Sequence, residues 1–179
     1  AIIPMPEHTR RDNSTDVAGF ARGRNIAYHE IEDINSPESV GLIRGITPDY
    51  ILSIRPQMIK RAVLDIPRIR SIGTHPTALP FNRERHPLHW LISLGIAESK
   101  MSFFRMEEPA DTGNVLLQVP YQIGPEDSIG KGNAMMDAAS YEGTVNLHKK
   151  LLDDPAYPGF EQDHALANTW RKQTPHNVT

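Results

Sequence analysis

Cysteine is absent from all 179 residues. Its absence removes disulfides, thiolate nucleophiles and cysteine-bound zinc, and makes the cytoplasm the default compartment. Long apolar runs are missing too: none comes near the roughly 20 residues needed to cross a bilayer, so no membrane span is expected. A large excess of either sign of charge is missing as well. The formal net charge is -3, and the basic pairs Arg10-Arg11, Arg22-Arg24 and Arg83-Arg85 are local, so no extensive nucleic-acid surface is expected. An initial Met and a leader are also lacking. The chain opens Ala1-Ile2-Ile3-Pro4, closes on the polar Gln173-Thr174-Pro175-His176-Asn177, and reads as a fragment.

What is present suits one domain with a sizeable core, since a chain near 150 residues buries roughly 70 % of its unfolded surface. Ser14-Thr15-Asp16 supplies helix-start residues, and Val17, Phe20 and Ala21 follow at helical spacing up to Gly23. Ala27 to Ile31 reads as a short strand, and Ser36-Pro37-Glu38 opens a helix running to Gly45. Tyr50 to Ile54 is compact and rich in branched residues, the profile of a strand buried on both faces and central in a parallel sheet. A helix from Pro56 to Leu64 is predicted next, then a strand from Arg70 to Gly73 that delivers His75 just past its carboxyl end.

Residues 79–85 are too polar and broken for regular structure. A helix follows from His86 or Pro87 to Gly95. Lys100 to Met106 and Val115 to Ile123 read as strands, antiparallel partners or a sheet extension, and a long helix covers Ser128 to Leu152. Met106, Met135, Met136, Leu94 and Trp90 are assigned to the core. A last short helix is predicted around His164 to Trp170. This alternation implies an α/β fold, a Rossmann-like, mostly parallel sheet with flanking helices, whose sites lie beyond the strands' carboxyl ends. Residues 1–155 are read as the core and 156–179 as a wrapping loop, short helix and polar tail.

By itself, His75-Pro76 is a turn histidine and Asp111-Thr112-Gly113-Asn114 a β-turn between strands. His86 and His89, with His75, can be drawn as a three-histidine metal site. Arg83 and Arg85 offer planar forks for a substrate phosphate, or are ordinary solvated charges.

The segment Gly73-Thr74-His75-Pro76-Thr77-Ala78-Leu79-Pro80 resembles the Asn-x-His-x-Ser-Leu-Leu-Pro signature of the folate-dependent formyltransferases that act on methionyl-tRNA, glycinamide ribonucleotide and nucleotide-linked amino sugars. Arg83-Glu84-Arg85-His86-Pro87-Leu88-His89-Trp90 is similar to that family's Arg-Gly-Arg-x-Pro-x-x-Trp. Met106 to Asn114 resembles its Met-Asp-Glu-Gly-x-Asp-Thr-Gly-Asp, and Ala167 to Lys172 a later segment of the sugar-acting branch. The likeness covers residues 15 to 172.

That resemblance implies formyl transfer from 10-formyltetrahydrofolate to the amine of a small substrate, a nucleotide-linked amino sugar, with His75 and Asp111 as the catalytic pair. The family's asparagine is replaced by Gly73, so Asn82, Thr74 or a backbone N–H is expected to support the oxyanion. Folate is expected between Gln57-Met58-Ile59 and the loop carrying Glu107, Glu108 and Ala110. Arg83 and Arg85 are the expected substrate contacts, no metal is required, and a homodimer is allowed. Glu84, Pro109 and Asn114 depart from the family pattern, and the family's first strand and helix have no counterpart. Two rivals stay open: a non-catalytic folate or nucleotide binder with a degenerate site, and a metal-dependent hydrolase using His75, His86 and His89.

Overall fold

The computed structural model describes residues 1–4, 16–54 and 58–172. Arg10, Arg11, Ser14, Thr15, Pro56, Gln57 and the 173–177 tail lie outside the described residues. By its contacts the chain divides into two units: Ala1–Asp49 with Arg55–Arg68, and Tyr50–Ile54 with Ile69–Thr179.

In the first unit, local capping decides the helices. Helix α1, Val17–Gly23, starts where the Asp16 carboxylate accepts from the Gly19 N–H at 2.7 Å. Helix α2, Pro37–Ile46, starts on Ser36, whose Oγ accepts from the Ser39 N–H, with Pro37 in the first turn where its missing donor costs nothing. Thr47 ends it at φ 49. The expected strand at Ala27 to Ile31 is only a single parallel bridge between Ile2 and Tyr28. Of the expected Pro56-to-Leu64 helix, residues 58–60 are not helical and the last turn, α3, Arg61–Leu64, is. Asn35 explains the shortening: its Oδ1 accepts from the Lys60 N–H at 2.7 Å and its Nδ2 donates to the Met58 carbonyl at 2.9 Å. That backbone N–H and carbonyl are thereby bonded to a side chain rather than into a helical ladder.

The second unit is a four-stranded mixed sheet with helices. Strand β1, Tyr50–Ser53, pairs parallel with β2, Arg70–His75, which pairs antiparallel with β4, Glu98–Arg105, and β4 with β5, Val115–Gln122. The intervening β3, Arg83–Glu84, pairs parallel with β6, Thr169–Trp170, in a separate two-stranded ladder. Two expectations are corrected here. Among the described residues β1 ends the sheet instead of lying centrally, and Leu52 is 41 % exposed. The predicted His164-to-Trp170 helix is a 3₁₀ turn, His164–Leu166, followed by β6, because Asn168 and its neighbours bond to the 82–84 backbone instead of to a next helical turn.

The core of this unit joins Ile72, Phe103, Leu116, Leu147 and Leu151 with Leu91 of helix α4, Pro87–Ser93. The long helix α5, Ile129–Asp153, is capped by Ser128 and turns Gly132, Ala139, Gly143 and Leu147 inward. A Cβ at Gly143 would overlap the Phe103 ring, so glycine is what lets the helix approach the sheet. Leu94 and Met135, expected in the core, are exposed; Met106, Met136 and Trp90 are partly buried. Leu94 sits at the end of α4, just before Gly95 turns the chain at φ 64.

Candidate active site

Strand β2 ends on His75 and sets the face from which its side chain leaves the sheet. Pleating puts Gly73 and His75 on one face and Ile72 and Thr74 on the other, where Thr74 is in register with Phe103 beneath α5. Thr74 is therefore removed as oxyanion support: its side chain leaves the sheet on the face opposite His75. Gly73 is filled in another way. A Cβ there would stand 2.8 Å from Phe104 Cζ and 3.0 Å from Met106 Cγ, so the space an asparagine would need holds Phe104.

The loop after His75 is hung by its carbonyls from β4 and β5. Tyr121 OH and Ser99 Oγ donate to the Pro76 carbonyl at 2.6 and 3.2 Å. Ser102 Oγ, wholly buried, donates to the Thr77 carbonyl at 2.6 Å and accepts from the Leu79 N–H, while Gln118 Nε2 reaches the Leu79 carbonyl at 3.0 Å. Burial pushes the Tyr121 phenol above its ordinary value, and the Ser99 hydroxyl partly opposes that shift. Each bond satisfies a carbonyl that would otherwise be buried unpaired.

So held, the loop returns Asn82 to His75: the Asn82 carbonyl accepts from His75 Nε2 at 2.9 Å. Nδ1 then faces Asp111, with Oδ2 3.8 Å away; both side chains are largely buried. A carbonyl only accepts, so the proton of a neutral His75 sits on Nε2 and Nδ1 is the nitrogen open to proton exchange. Since 3.8 Å exceeds a hydrogen bond, Nδ1 is not committed to the carboxylate. The structure thus brings together a histidine and an aspartate that stand far apart in sequence. Asn82 serves differently from the expectation: its side-chain Oδ1 accepts from Asn168 Nδ2 at 2.8 Å, and its contribution to His75 is the backbone carbonyl.

Backbone strain gathers here. Among the described residues, Asn82, Glu84, His86 and Asp111 have φ of 58, 76, 57 and 60, a region where a Cβ is crowded. Glu84, standing where the family pattern has glycine, adopts the glycine-like conformation and gives its N–H to Asp111 Oδ2 at 3.1 Å.

The two arginines part company. Arg83 is buried, its Nη2 donating to Gln162 Oε1 at 2.7 Å and to His164 Nδ1 at 3.0 Å, and it serves the protein's own network rather than an open face. Arg85 is exposed. It lies close enough to His86 to act on it: desolvation, then the positive neighbours His89, Lys172 and Arg85, push His86 below its ordinary value. The His86 and His89 rings stand 5.5 Å apart, and among the described residues no group of three His, Asp or Glu side chains is set to hold a metal ion. Glu107, Glu108 and Ala110 form an exposed loop. In the first unit Met58 is exposed and Ile59 buried.

Ser99, Ser102, Gln118, Tyr121, Gln162, His164 and Asn168 were not singled out from the sequence. Buried serines in β4 left one signal, polar residues at positions of a strand otherwise apolar. Gln162 left none, its Gly113 partner being 49 residues away, and Asn168 stood only within the 167–172 resemblance, without a role, its partner Asn82 being 86 residues away.

The chain matches the family described as Formyl transferase over residues 28–146, and it belongs to that family. A methionyl-tRNA formyltransferase of Citrifermentans bemidjiense is 37% identical over 171 residues, 93% of this chain and 54% of the relative. The chain spans about half the length of the curated relatives it matches. Among solved structures, a methionyl-tRNA formyltransferase from Clostridium thermocellum superposes with a TM-score of 0.63 at 23% identity, covering 89% of this chain and 67% of the other. The formyltransferase PseJ from Anoxybacillus kamchatkensis, in complex with a UDP-linked formamido sugar and tetrahydrofolate, gives 0.65 at 14%, covering 87% and 79%. No helix of the described residues is long and apolar enough to cross a membrane.

Proposed function

We infer that this chain carries the catalytic core of an enzyme that moves a formyl group from 10-formyltetrahydrofolate to an amine. The observation that carries the reading is the apposition of His75 and Asp111 within a member of the formyl transferase family. An amine attacks the formyl carbon, a tetrahedral oxyanion forms, a proton leaves the nitrogen and tetrahydrofolate departs. His75 Nδ1 is the group that takes up the proton and, once protonated, hydrogen-bonds the oxyanion, while the Asn82 carbonyl orients the imidazole through Nε2 and Asp111 faces its charge. With Phe104 where an asparagine would reach, the remaining oxyanion donor is assigned to a backbone N–H. The exposed Glu107-to-Ala110 loop is the segment assigned to the pterin within the second unit.

The acceptor is assigned as an amine on a phosphate-bearing carrier, a nucleotide-linked amino sugar. Arg85, exposed, is the cation assigned to that phosphate, with Lys172 also near His86. Methionyl-tRNA is the second reading, favoured by the 37% identical relative. Single-turnover assays with 10-formyltetrahydrofolate and each acceptor decide between them. Transfer to one acceptor that His75→Ala abolishes supports the enzyme; folate binding without transfer to either would leave a degenerate binder.

A further inference from the structure

Both polar atoms of the Gln162 side chain are engaged around Asp111. It is 5 % exposed, its Nε2 donates to the carbonyls of Asp111 and Gly113 at 2.9 and 2.7 Å, and its Oε1 accepts from Arg83 Nη2 at 2.7 Å. Only a neutral amide of this length supplies two donors and one acceptor in that order. Both carbonyls belong to the turn in which Asp111 is held at φ 60. Arg83 lies next to Glu84, whose N–H donates to Asp111 Oδ2. One side chain therefore grips the backbone of Asp111 on one side and, through Arg83, the strand that grips its carboxylate on the other.

The segment carrying Gln162 is itself tied down. Phe160 and Val115 exchange backbone bonds at 2.9 Å in each direction, Asn114 Nδ2 donates to the Pro158 carbonyl at 3.1 Å, and Asp163 caps the following turn. The amide thus comes from a fixed backbone, and Gly113 is pressed so close to the Arg105 carbonyl that the turn has little room to relax otherwise.

We propose that Gln162 is a positioning residue for formyl transfer, holding the strained Asp111 turn so that its carboxylate faces His75. This deepens, and rests on, the reading given under Proposed function. Gln162→Glu tests it: the acceptor toward Arg83 is kept, now as an ion pair, while both donors to the Asp111 turn are lost. The expected result in the full chain is kcat per folded molecule lower by ~10- to 100-fold with KM for folate and amine within about twofold, and a lower melting temperature because two buried carbonyls lose their donors. The double variant Gln162→Glu/Asp111→Asn is expected to be no slower than Asp111→Asn alone, since the first residue acts through the second.

A readout independent of catalysis is the amide proton shift of Glu84, which reports its bond to Asp111 Oδ2 and is expected to move upfield in Gln162→Glu. If the wild-type chain transfers no formyl group, the proposed function fails while this shift still tests Gln162. Multiplying rate losses in the double variant, or an unmoved Glu84 amide, overturns the proposal. Should Gln162→Glu not fold, Gln162→Met, of similar length without the amide, takes its place with the same readouts.

Discussion

The two faces of the four-stranded sheet are built on opposite principles. Toward α5, Ile72, Phe103, Leu116 and Leu147 are apolar side chains in one core cluster, and a tight demand is for the missing side chain of Gly143. On the other face and past the strand ends, Ser102, Gln118 and Gln162 hold loop carbonyls by hydrogen bonds, Tyr121 reaches the Pro76 carbonyl from the core cluster, and the left-handed Asn82 and Glu84 bond to His75 and to the equally left-handed Asp111. Apolar burial supplies stability without direction, whereas hydrogen bonds fix orientation at little net gain, about 0.5–1.5 kcal/mol each. A site that must aim an imidazole at a carboxylate is accordingly made of the second kind and anchored on the first.

Three substitutions press on this contrast. Asp111→Asn should lower the single-turnover formyl-transfer rate by ~10²-fold or more with little change in melting temperature, in line with general acid-base contributions; an undiminished rate would remove Asp111 from the chemistry. Gly143→Ala should do the reverse. Overpacking against Phe103 is expected to cost about 1–3 kcal/mol in denaturant unfolding, while the rate per folded molecule holds.

Tyr121→Phe should have the smallest effect, losing the bond to the Pro76 carbonyl at about 0.5–1.5 kcal/mol. It carries a pH signature as well. Because burial raises the Tyr121 phenol above its ordinary value in the folded chain, its contribution to stability is complete below pH 10 and is lost as pH rises through the raised value. Unfolding measured on the alkaline side should therefore show a decline that the phenylalanine variant lacks.

Part of this fold was legible because its causes are local. Ser36-Pro37 and Ser128 cap helices through bonds three residues long, and the expected 128-to-152 helix differs from Ile129–Asp153 by a single residue at each end. Asp111 in a turn was legible from the residues, and its pairing with His75 through family resemblance; His75, expected just past a strand ending at Gly73, is instead the last residue of β2, in register with Ser102. What escaped depended on distant partners. The expected helix before Arg61 is shortened by Asn35, about 25 residues away, and β1 lies at the sheet's end although its composition reads as central. The 79–85 segment, read as irregular, finds a strand partner only in Thr169–Trp170.

The sequence by itself determined the family, the helix starts and the identities of the histidine and aspartate, because caps and motifs act over a few residues. Only the tertiary structure decided that Arg83 is buried, that Phe104 occupies the space beside Gly73, and that Gln162 holds the Asp111 turn. Those outcomes hang on which carbonyl each donor meets across the fold, and such pairings leave no periodicity or spacing in the chain to be read.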